Sequence, residues 1–180
     1  MIFNTKTNRC FIHIPKCAGT SVRKALSQYH DADPSYLNTW VRTDDYGIRY
    51  AGHLTASLLK AIDPVTHALV KRATIYSVIR DPEERFISAF CQYCRQYREP
   101  IQYLEIKTQE KILGELIDDL RKAFKEPDPL PVHFTHFTPQ VDFLTYPEAT
   151  LKLYPISDVN FLVRDFTEGL GFRNLRKLSA

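Results

Sequence analysis

One segment, residues 73–79 (ATIYSVI), restricts the fold of this sequence more than any other. It is an almost unbroken run of β-branched and apolar residues, which is typical of a central parallel strand covered on both faces. The run ends at Arg80, and Asp81-Pro82 then provides a helix N-cap and a proline in the first helical turn. Apolar residues mark the inner face of that helix at Phe86, Ala89, Phe90 and Tyr93. The segment therefore predicts a strand followed directly by a helix.

An earlier segment predicts a second unit of the same kind. Residues 9–15 alternate and are rich in Phe and Ile, so they predict a buried strand that ends at Pro15. After a glycine turn, apolar residues from Thr20 onward recur on one helical face, and Thr20 or Ser21 is available to cap that helix. The apolar residues are Val22, Ala25, Leu26 and Tyr29. The chain thus has two strand–loop–helix units.

The rest of the chain continues the alternation. We predict helices at 55–62, 64–71 and 107–125, short strands at 47–52 and 159–163, and irregular segments at 31–46 and 126–131. With 180 residues and 44% hydrophobic content, the chain suits one domain. The predicted fold is a single three-layer α/β domain over residues 1–180. Its central sheet is mostly parallel, and its ligands bind at the carboxyl ends of the strands.

The charge balance argues against a nucleic-acid or membrane partner. Lys and Arg total 24 against 21 Asp and Glu, a net charge of +3, so any anion must be bound locally. Residues 1–15 lack the features of a signal peptide, and no run approaches the roughly 20 apolar residues of a membrane span. We therefore expect a soluble, cytoplasmic protein without a membrane span. The oligomeric state is left open by the sequence.

Four cysteines, Cys10, Cys17, Cys91 and Cys94, are few for this length, so reduced thiols are expected. Cys91 and Cys94 form a C-x-x-C pair of the kind that zinc or redox chemistry also uses. Both lie in the predicted helix after residue 81, however, and the other two cysteines form no matching pair. Because structural zinc normally needs four well-placed ligands, we predict no metal site.

The loop after the first strand, IPKCAGTS at residues 14–21, predicts a P-loop-like phosphate-binding turn. Backbone N–H groups at the helix start, the helix dipole and the hydroxyls of Thr20 and Ser21 can converge on anionic oxygens, and Lys16 adds charge. The lysine precedes Gly19, and no glycine lies at the upstream position of G-x-x-x-x-G-K-[ST], which argues against a conventional ATPase. In the alternative interpretation, Gly19 permits a tight turn, the hydroxyls cap the helix and Lys16 is a solvated charge.

The segment after the central strand, RDPEERFISAF at residues 80–90, predicts a second phosphate contact. Arg80 lies at a strand end, and Ser88 follows about two turns into the helix, so both can reach one phosphate. Arginine offers a planar fork of donors suited to phosphate, and a hydroxyl adds a further bond. In the alternative interpretation, Arg80 pairs with Asp81 or Glu84 at the helix start and Ser88 faces solvent.

Together, IPKCAGTS and VIRDPEERFISAF resemble two motifs of the sulfotransferases that use 3′-phosphoadenosine 5′-phosphosulfate (PAPS). The resemblance is to the family with the heparan 2-O- and HNK-1-type carbohydrate sulfotransferases. It implies that the 5′-phosphosulfate is held by Lys16, Cys17, Ala18, Gly19, Thr20 and Ser21. It also implies that Arg80 and Ser88 hold the 3′-phosphate, which distinguishes PAPS and its product, adenosine 3′,5′-bisphosphate (PAP), from ATP.

The resemblance extends over residues 10–144. Residues 50–54 (YAGHL) are similar to the family's Gly-His segment, and residues 136–140 (HFTPQ) to its His-aromatic-x-Pro-Gln segment. Cys17 and Ala18 stand where members often carry Thr and Gly. Family members also continue into a loop that closes over the nucleotide, which is either abbreviated or truncated here. Candidates for that loop are Arg173, Arg176, Lys177 and Ser179.

The chemistry implied by the resemblance is in-line transfer of a sulfuryl group, without a metal. Lys16 would stabilise the charge that accumulates on the bridging oxygen of the departing PAP. The acceptor must lose a proton, and His53 is the preferred general base because imidazole titrates near neutral pH. His136, His133 and His13 are alternatives, and His136 can instead orient the substrate.

The acceptor is a hydroxyl, expected to belong to a carbohydrate, or an amine. Its binding surface is expected from residues 31–46 and from Tyr93, Arg95, Tyr97 and Arg98, with Arg95 and His136 as substrate contacts. Aromatic side chains can stack on sugars and arginines can bind acidic groups, yet the same residues can form a helix face that packs on the core. Two other functions stay open: a noncatalytic nucleotide-binding relative, and an ATP-dependent phosphotransferase that uses the same loop.

Overall fold

The computed structural model describes residues 1–126 and 129–171. The strands are β1 (Ile2–Asn4), β2 (Arg9–Ile12), β3 (Trp40–Thr43), β4 (Gly47–Tyr50), β5 (Thr74–Ile79) and β6 (Thr150–Pro155). The α-helices are α1 (Gly19–Leu26), α2 (Ser35–Asn38), α3 (Ala56–Ile62), α4 (Pro64–Val70), α5 (Pro82–Tyr97), α6 (Ile106–Ala123) and α7 (Val159–Thr167). Short 3₁₀ helices include Ala51–His53, Val132–Phe137 and Gln140–Phe143.

The described residues form two compact units. The first unit is Met1–Arg80 together with the described residues from Pro139 onward, and the second unit is Asp81–Thr138. The first contains all the strands named above, and the second contains α5 and α6. A single domain over residues 1–180 stays a prediction.

The first unit is built on a four-stranded sheet in the order β1-β2-β5-β6. β1 is antiparallel to β2, whereas β5 is parallel to both β2 and β6. β5 is central, and Ile75, Tyr76, Ser77 and Val78 within it are buried. The predicted mixed α/β fold with a mostly parallel central sheet is therefore confirmed, and the continuous apolar run of residues 73–79 forms its central strand.

The predicted strand at 159–163 is wrong, because these residues begin α7. Four apolar side chains at helical spacing are buried there, Val159, Leu162, Val163 and Phe166. The last strand is β6, in which Leu151 and Leu153 are 42% and 43% exposed while Lys152 and Tyr154 are half-buried. Lys152 Nζ lies 2.9 Å from a carboxylate oxygen of Asp165 on α7. This salt bridge satisfies the inward-facing lysine, so β6 does not show the usual pattern of apolar residues facing inward.

Residues 31–46, predicted to be polar and turn-rich, contain the short helix α2 and the strand β3. β3 pairs antiparallel with β4, and Trp40 lies opposite Tyr50. Gly47 has φ = 66°, a left-handed conformation that glycine adopts without strain at the turn. The short strand predicted at 47–52 is thus present as β4, one half of a hairpin.

The second unit confirms the predicted start of α5. The Asp81 carboxylate accepts hydrogen bonds from the N–H groups of Glu83 and Glu84, and Pro82 occupies the first turn. Ala89, Phe90 and Tyr93 are buried against residues of α6 and the helix Val132–Phe137, including Leu116, Leu120, Phe134 and Phe137. Tyr93 is therefore a core residue, and for it the packing interpretation holds over acceptor binding.

Candidate active site

The loop between β2 and α1 has an unusual backbone conformation. Lys16 and Ala18, on either side of Cys17, have left-handed φ values of 66° and 55°. For a residue other than glycine, this conformation costs roughly 1–2 kcal/mol. Such strain persists only where the surrounding structure holds it, and it is common at functional sites. Ala18 thus adopts, at a cost, a conformation that glycine would adopt freely.

The predicted capping of α1 by Thr20 or Ser21 is wrong. The helix begins at Gly19 with Ala18 as N-cap residue, and no side-chain cap hydrogen bond is present. Thr20 and Ser21 consequently lie in the first turn, where Thr20 is exposed and Ser21 half-buried. Among the described residues, we find no protein acceptor for the N–H groups of Gly19 and Thr20. These donors lie at the positive end of the helix dipole.

Gly19 is required by the close approach of a neighbouring ring. A Cβ atom at this position would lie 1.7 Å from Cδ2 of His13, far inside van der Waals contact. His13 is buried, and its ring centroid lies 4.4 Å from that of His53 in an edge-to-face arrangement. The start of α1 is therefore linked to His53 through the His13 ring.

His53 is oriented by a backbone carbonyl of the loop between β2 and α1. Its Nδ1 lies 3.4 Å from the carbonyl oxygen of His13. A carbonyl only accepts hydrogen bonds, so this contact requires the proton on Nδ1 and leaves the lone pair on Nε2. His53 is half-buried, at the end of the 3₁₀ helix Ala51–His53. In the neutral tautomer that donates from Nδ1, Nε2 is the acceptor atom of the ring.

Tyr50 also packs against His53, with 4.8 Å between ring centroids. Arg23 of α1 donates a 2.6 Å hydrogen bond from Nη1 to the Tyr50 hydroxyl. A Cβ atom on Gly52 would lie 2.5 Å from Cε1 of Tyr50. Gly52, which precedes His53, thus leaves space for the Tyr50 ring that packs against His53. Nothing in the sequence indicated that Arg23 or the Tyr50 side chain contacts this site, although Tyr50 begins the YAGHL segment.

Arg80 lies beside the Lys16 loop. Its Nη1 is 3.5 Å from the carbonyl oxygen of Lys16. Gln140 accepts a 3.1 Å hydrogen bond from the Arg80 N–H and donates a 2.8 Å bond to the Arg80 carbonyl oxygen. The Sγ of Cys17 lies 3.4 Å from the same Gln140 side-chain oxygen. The structure therefore brings Lys16, Cys17 and Arg80 together. Gln140 also belongs to this group of residues, although it was not predicted as a site residue and entered only as the last residue of the HFTPQ segment.

The remaining predicted site residues belong to the second unit. Ser88 is half-buried on α5, and Arg95 is exposed on the same helix, with Nη1 3.5 Å from Oε1 of Gln92. His136 is half-buried, and its carbonyl oxygen accepts a hydrogen bond from the buried side chain of Arg85. Their roles stay predictions. The loop candidates Arg173, Arg176, Lys177 and Ser179 lie outside the described residues.

Three further features concern metals, membranes and the cysteines. In the part of the chain that the structure describes, no group of three or more His, Cys, Asp or Glu side chains is arranged to hold a metal ion. Within residues 1–126 and 129–171, no helix combines the length and apolar character needed to cross a membrane. All four cysteines are free thiols, and burial raises the pKa of Cys10 to about 12.

The fold and the site define an α/β protein in which the loop after the second strand leads into α1, whose first turn has no side-chain cap. A model of the sulfotransferase family matches residues 1–150, which include both predicted phosphate segments and Gln140. The chain belongs to the sulfotransferase family, which supports sulfuryl transfer as its class of reaction. No curated protein and no solved structure matches the chain.

Proposed function

We propose that this protein transfers a sulfuryl group from PAPS to a carbohydrate hydroxyl or an amine and releases PAP. The observation that carries the proposal is the 3.5 Å approach of the Arg80 guanidinium to the carbonyl oxygen of Lys16. Lys16 and Arg80 belong to the two segments that resemble the 5′- and 3′-phosphate motifs. A nucleotide with phosphates on both ends of its ribose fits two such cationic segments held side by side.

The turn at residues 14–21 would bind the 5′-phosphosulfate as a P-loop-like element. The N–H groups of Gly19 and Thr20, which lack protein acceptors in the described chain, point to anion binding at the start of α1. The hydroxyls of Thr20 and Ser21 would add donors, and Cys17 and Ala18 would contribute backbone. Arg80 would hold the 3′-phosphate, whereas the role of Ser88 stays an expectation from the family resemblance.

The transfer step needs a cation and a base. The acceptor oxygen or nitrogen forms a bond to sulfur while the bond between sulfur and the bridging oxygen breaks, and the electron pair stays on PAP. The ammonium group of Lys16 stabilises this charge. Nε2 of His53 takes the acceptor proton, as the Nδ1 contact with the His13 carbonyl favours.

The β3–β4 hairpin supports a carbohydrate acceptor. Trp40 is 61% exposed, and its ring centroid lies 5.4 Å from that of Tyr50, which contacts His53. Arg42 lies on the same face two residues after Trp40 and is exposed. An exposed indole can stack on a sugar ring, and an arginine can bind a carboxylate or sulfate. We propose an acidic saccharide as the acceptor.

Calorimetry with PAP tests the donor. We expect PAP to bind without magnesium and more tightly than ATP, and Arg80→Ala to weaken PAP binding about 10–100-fold, because it removes charge-assisted bonds. Arg72→Ala is the matched control, since Arg72 precedes β5 whereas Arg80 follows it. Equal losses in both variants would contradict the proposal. Tighter binding of Mg-ATP would favour a phosphotransferase, and PAP binding without transfer to any acceptor a noncatalytic relative.

Trp40 allows a direct test of the acceptor surface, because it is the single tryptophan of the chain. Its fluorescence should change on titration with a chondroitin hexasaccharide, which is acidic, and much less with neutral maltohexaose. Trp40→Ala should raise the acceptor KM about tenfold, the scale of one aromatic stacking contact, and leave PAP affinity unchanged. Trp40→Phe keeps a ring and should retain most of the affinity. Unchanged fluorescence and KM would exclude this surface.

A further inference from the structure

We infer that Gln140 is a positioning residue that aligns Arg80 with the Lys16 loop, an inference that rests on the proposed function. Gln140 is the first residue of the 3₁₀ helix Gln140–Phe143 and is half-buried. Its Oε1 accepts from the N–H of Arg80 and also lies 3.4 Å from Sγ of Cys17, while its Nε2 donates to the Arg80 carbonyl oxygen. One side chain thus contacts both segments proposed to bind the donor.

The two bonds to Arg80 have the form of a strand contact. β5 pairs with β2 as far as Ser77 and with β6 as far as Ile79, so Arg80 lies beyond both ladders. A primary amide presents a donor and an acceptor side by side, as the N–H and C=O of one residue do in a hydrogen-bonded pair of an antiparallel ladder. The Gln140 amide therefore continues the pairing of β5 by one residue. By holding both backbone groups of Arg80, it restricts the direction in which the guanidinium leaves the strand.

The contact with Cys17 extends this control to the loop. Cys17 lies between the two left-handed residues Lys16 and Ala18, and its thiol faces the Gln140 oxygen. A thiol is a weak donor, so the Arg80 pair is the stronger part of the arrangement. The same Gln140 oxygen nevertheless contacts both the loop and the end of β5. Through these two contacts, Gln140 would hold Lys16 and Arg80 at a fixed separation.

A positioning role and a purely structural role of Gln140 predict different effects on nucleotide binding. If Gln140 aligns Arg80, its loss weakens binding of the 3′-phosphate more than binding of the rest of the nucleotide. If Gln140 only stabilises the fold, binding of all nucleotides falls together with the melting temperature. Comparing PAP with adenosine 5′-monophosphate, which lacks the 3′-phosphate, separates these two cases.

The experiment measures both affinities by calorimetry for the wild-type protein, Gln140→Leu and Gln140→Asn. Gln140→Leu should weaken PAP binding about tenfold, the worth of the lost hydrogen bonds, and change adenosine 5′-monophosphate binding less than about twofold. Gln140→Asn retains the amide but is one methylene shorter, and it should give the same selective loss in smaller measure. It also preserves the test if the leucine variant does not fold.

Gln109→Leu is the matched control. Gln109 of α6 donates to the carbonyl oxygens of Ile101 and Leu104, so this variant also loses backbone hydrogen bonds, although none of them involves a proposed donor-binding residue. It should lower the melting temperature without changing the ratio of the two affinities. Equal weakening of both nucleotides by the Gln140 variants, or no weakening, would overturn the inference. If the wild-type protein does not prefer PAP, the proposed function fails and the inference fails with it.

Discussion

Replacing Lys16 with alanine should lower turnover roughly 10²–10³-fold, equivalent to about 3–4 kcal/mol of transition-state stabilisation. The physical reason is the charge that develops on the bridging oxygen of PAP as the bond to sulfur breaks. A preorganised ammonium group at that point interacts more strongly with the transition state than with bound PAPS. The loss should therefore appear mainly in kcat, measured as transfer of radiolabelled sulfate to a saccharide acceptor.

Alanine is the right substitution because of the backbone at this position. Lys16 has φ = 66°, and glycine would relax a conformation that alanine retains. Lys24→Ala is the matched control, since Lys24 is an exposed lysine in the last turn of α1. It should keep full turnover. A Lys16→Ala variant with normal kcat and weakened PAP binding would limit Lys16 to donor binding.

The central part of the fold was predictable because its sequence leaves few alternatives. Residues 73–79 have no polar face, and their short length and β-branched content favour a strand of a sheet covered on both faces. Asp81-Pro82 then indicates the start of α5, because Asp is a favoured N-cap residue and Pro is favoured in the first helical turn. Both features act through neighbouring residues, which is why they can be recognised in sequence.

The errors lie where tertiary contacts override the local pattern. Residues 159–163 are too few to distinguish a strand from a buried helix by apolar content alone, and α7 supplies the remaining turn of its apolar face beyond them. β6 carries the half-buried Lys152 on the side that faces α7, where Asp165 pairs with it. Neither the charge of Asp165 nor its position beside Lys152 can be predicted from the sequence of β6.

In the site, too, residues in local motifs could be predicted and long-range contacts could not. Lys16, Gly19 and Arg80 were predicted from chain-local motifs, and His53 from the Gly-His segment. The contact between Gln140 and Arg80 spans 60 positions, and that between Arg23 and Tyr50 spans 27. Both contacts are made by side chains, through two hydrogen bonds for Gln140 and one for Arg23, and their geometry depends on the complete fold. The ring of His13 likewise explains Gly19 only after the loop is folded.

Replacing His53 with alanine should lower turnover at least about 100-fold, the scale of general-base assistance, with PAP affinity nearly unchanged. His53→Asn is the sharper variant, because its side-chain amide retains a donor for the His13 carbonyl and removes the Nε2 lone pair. General-base catalysis gives the pH–rate profile an acidic limb, which should be present in the wild-type protein and absent from the variant. Radiolabelled transfer across a pH series measures both effects.

His67→Ala provides the control, since His67 lies on α4 with its ring against Tyr146, a residue for which no site role is proposed. It should retain full turnover and the acidic limb. Added imidazole should restore part of the activity of His53→Ala if the missing function is proton removal, because a small base can enter the space that the side chain leaves. Undiminished turnover in His53→Asn, together with a loss in His136→Ala, would assign the base to His136 instead.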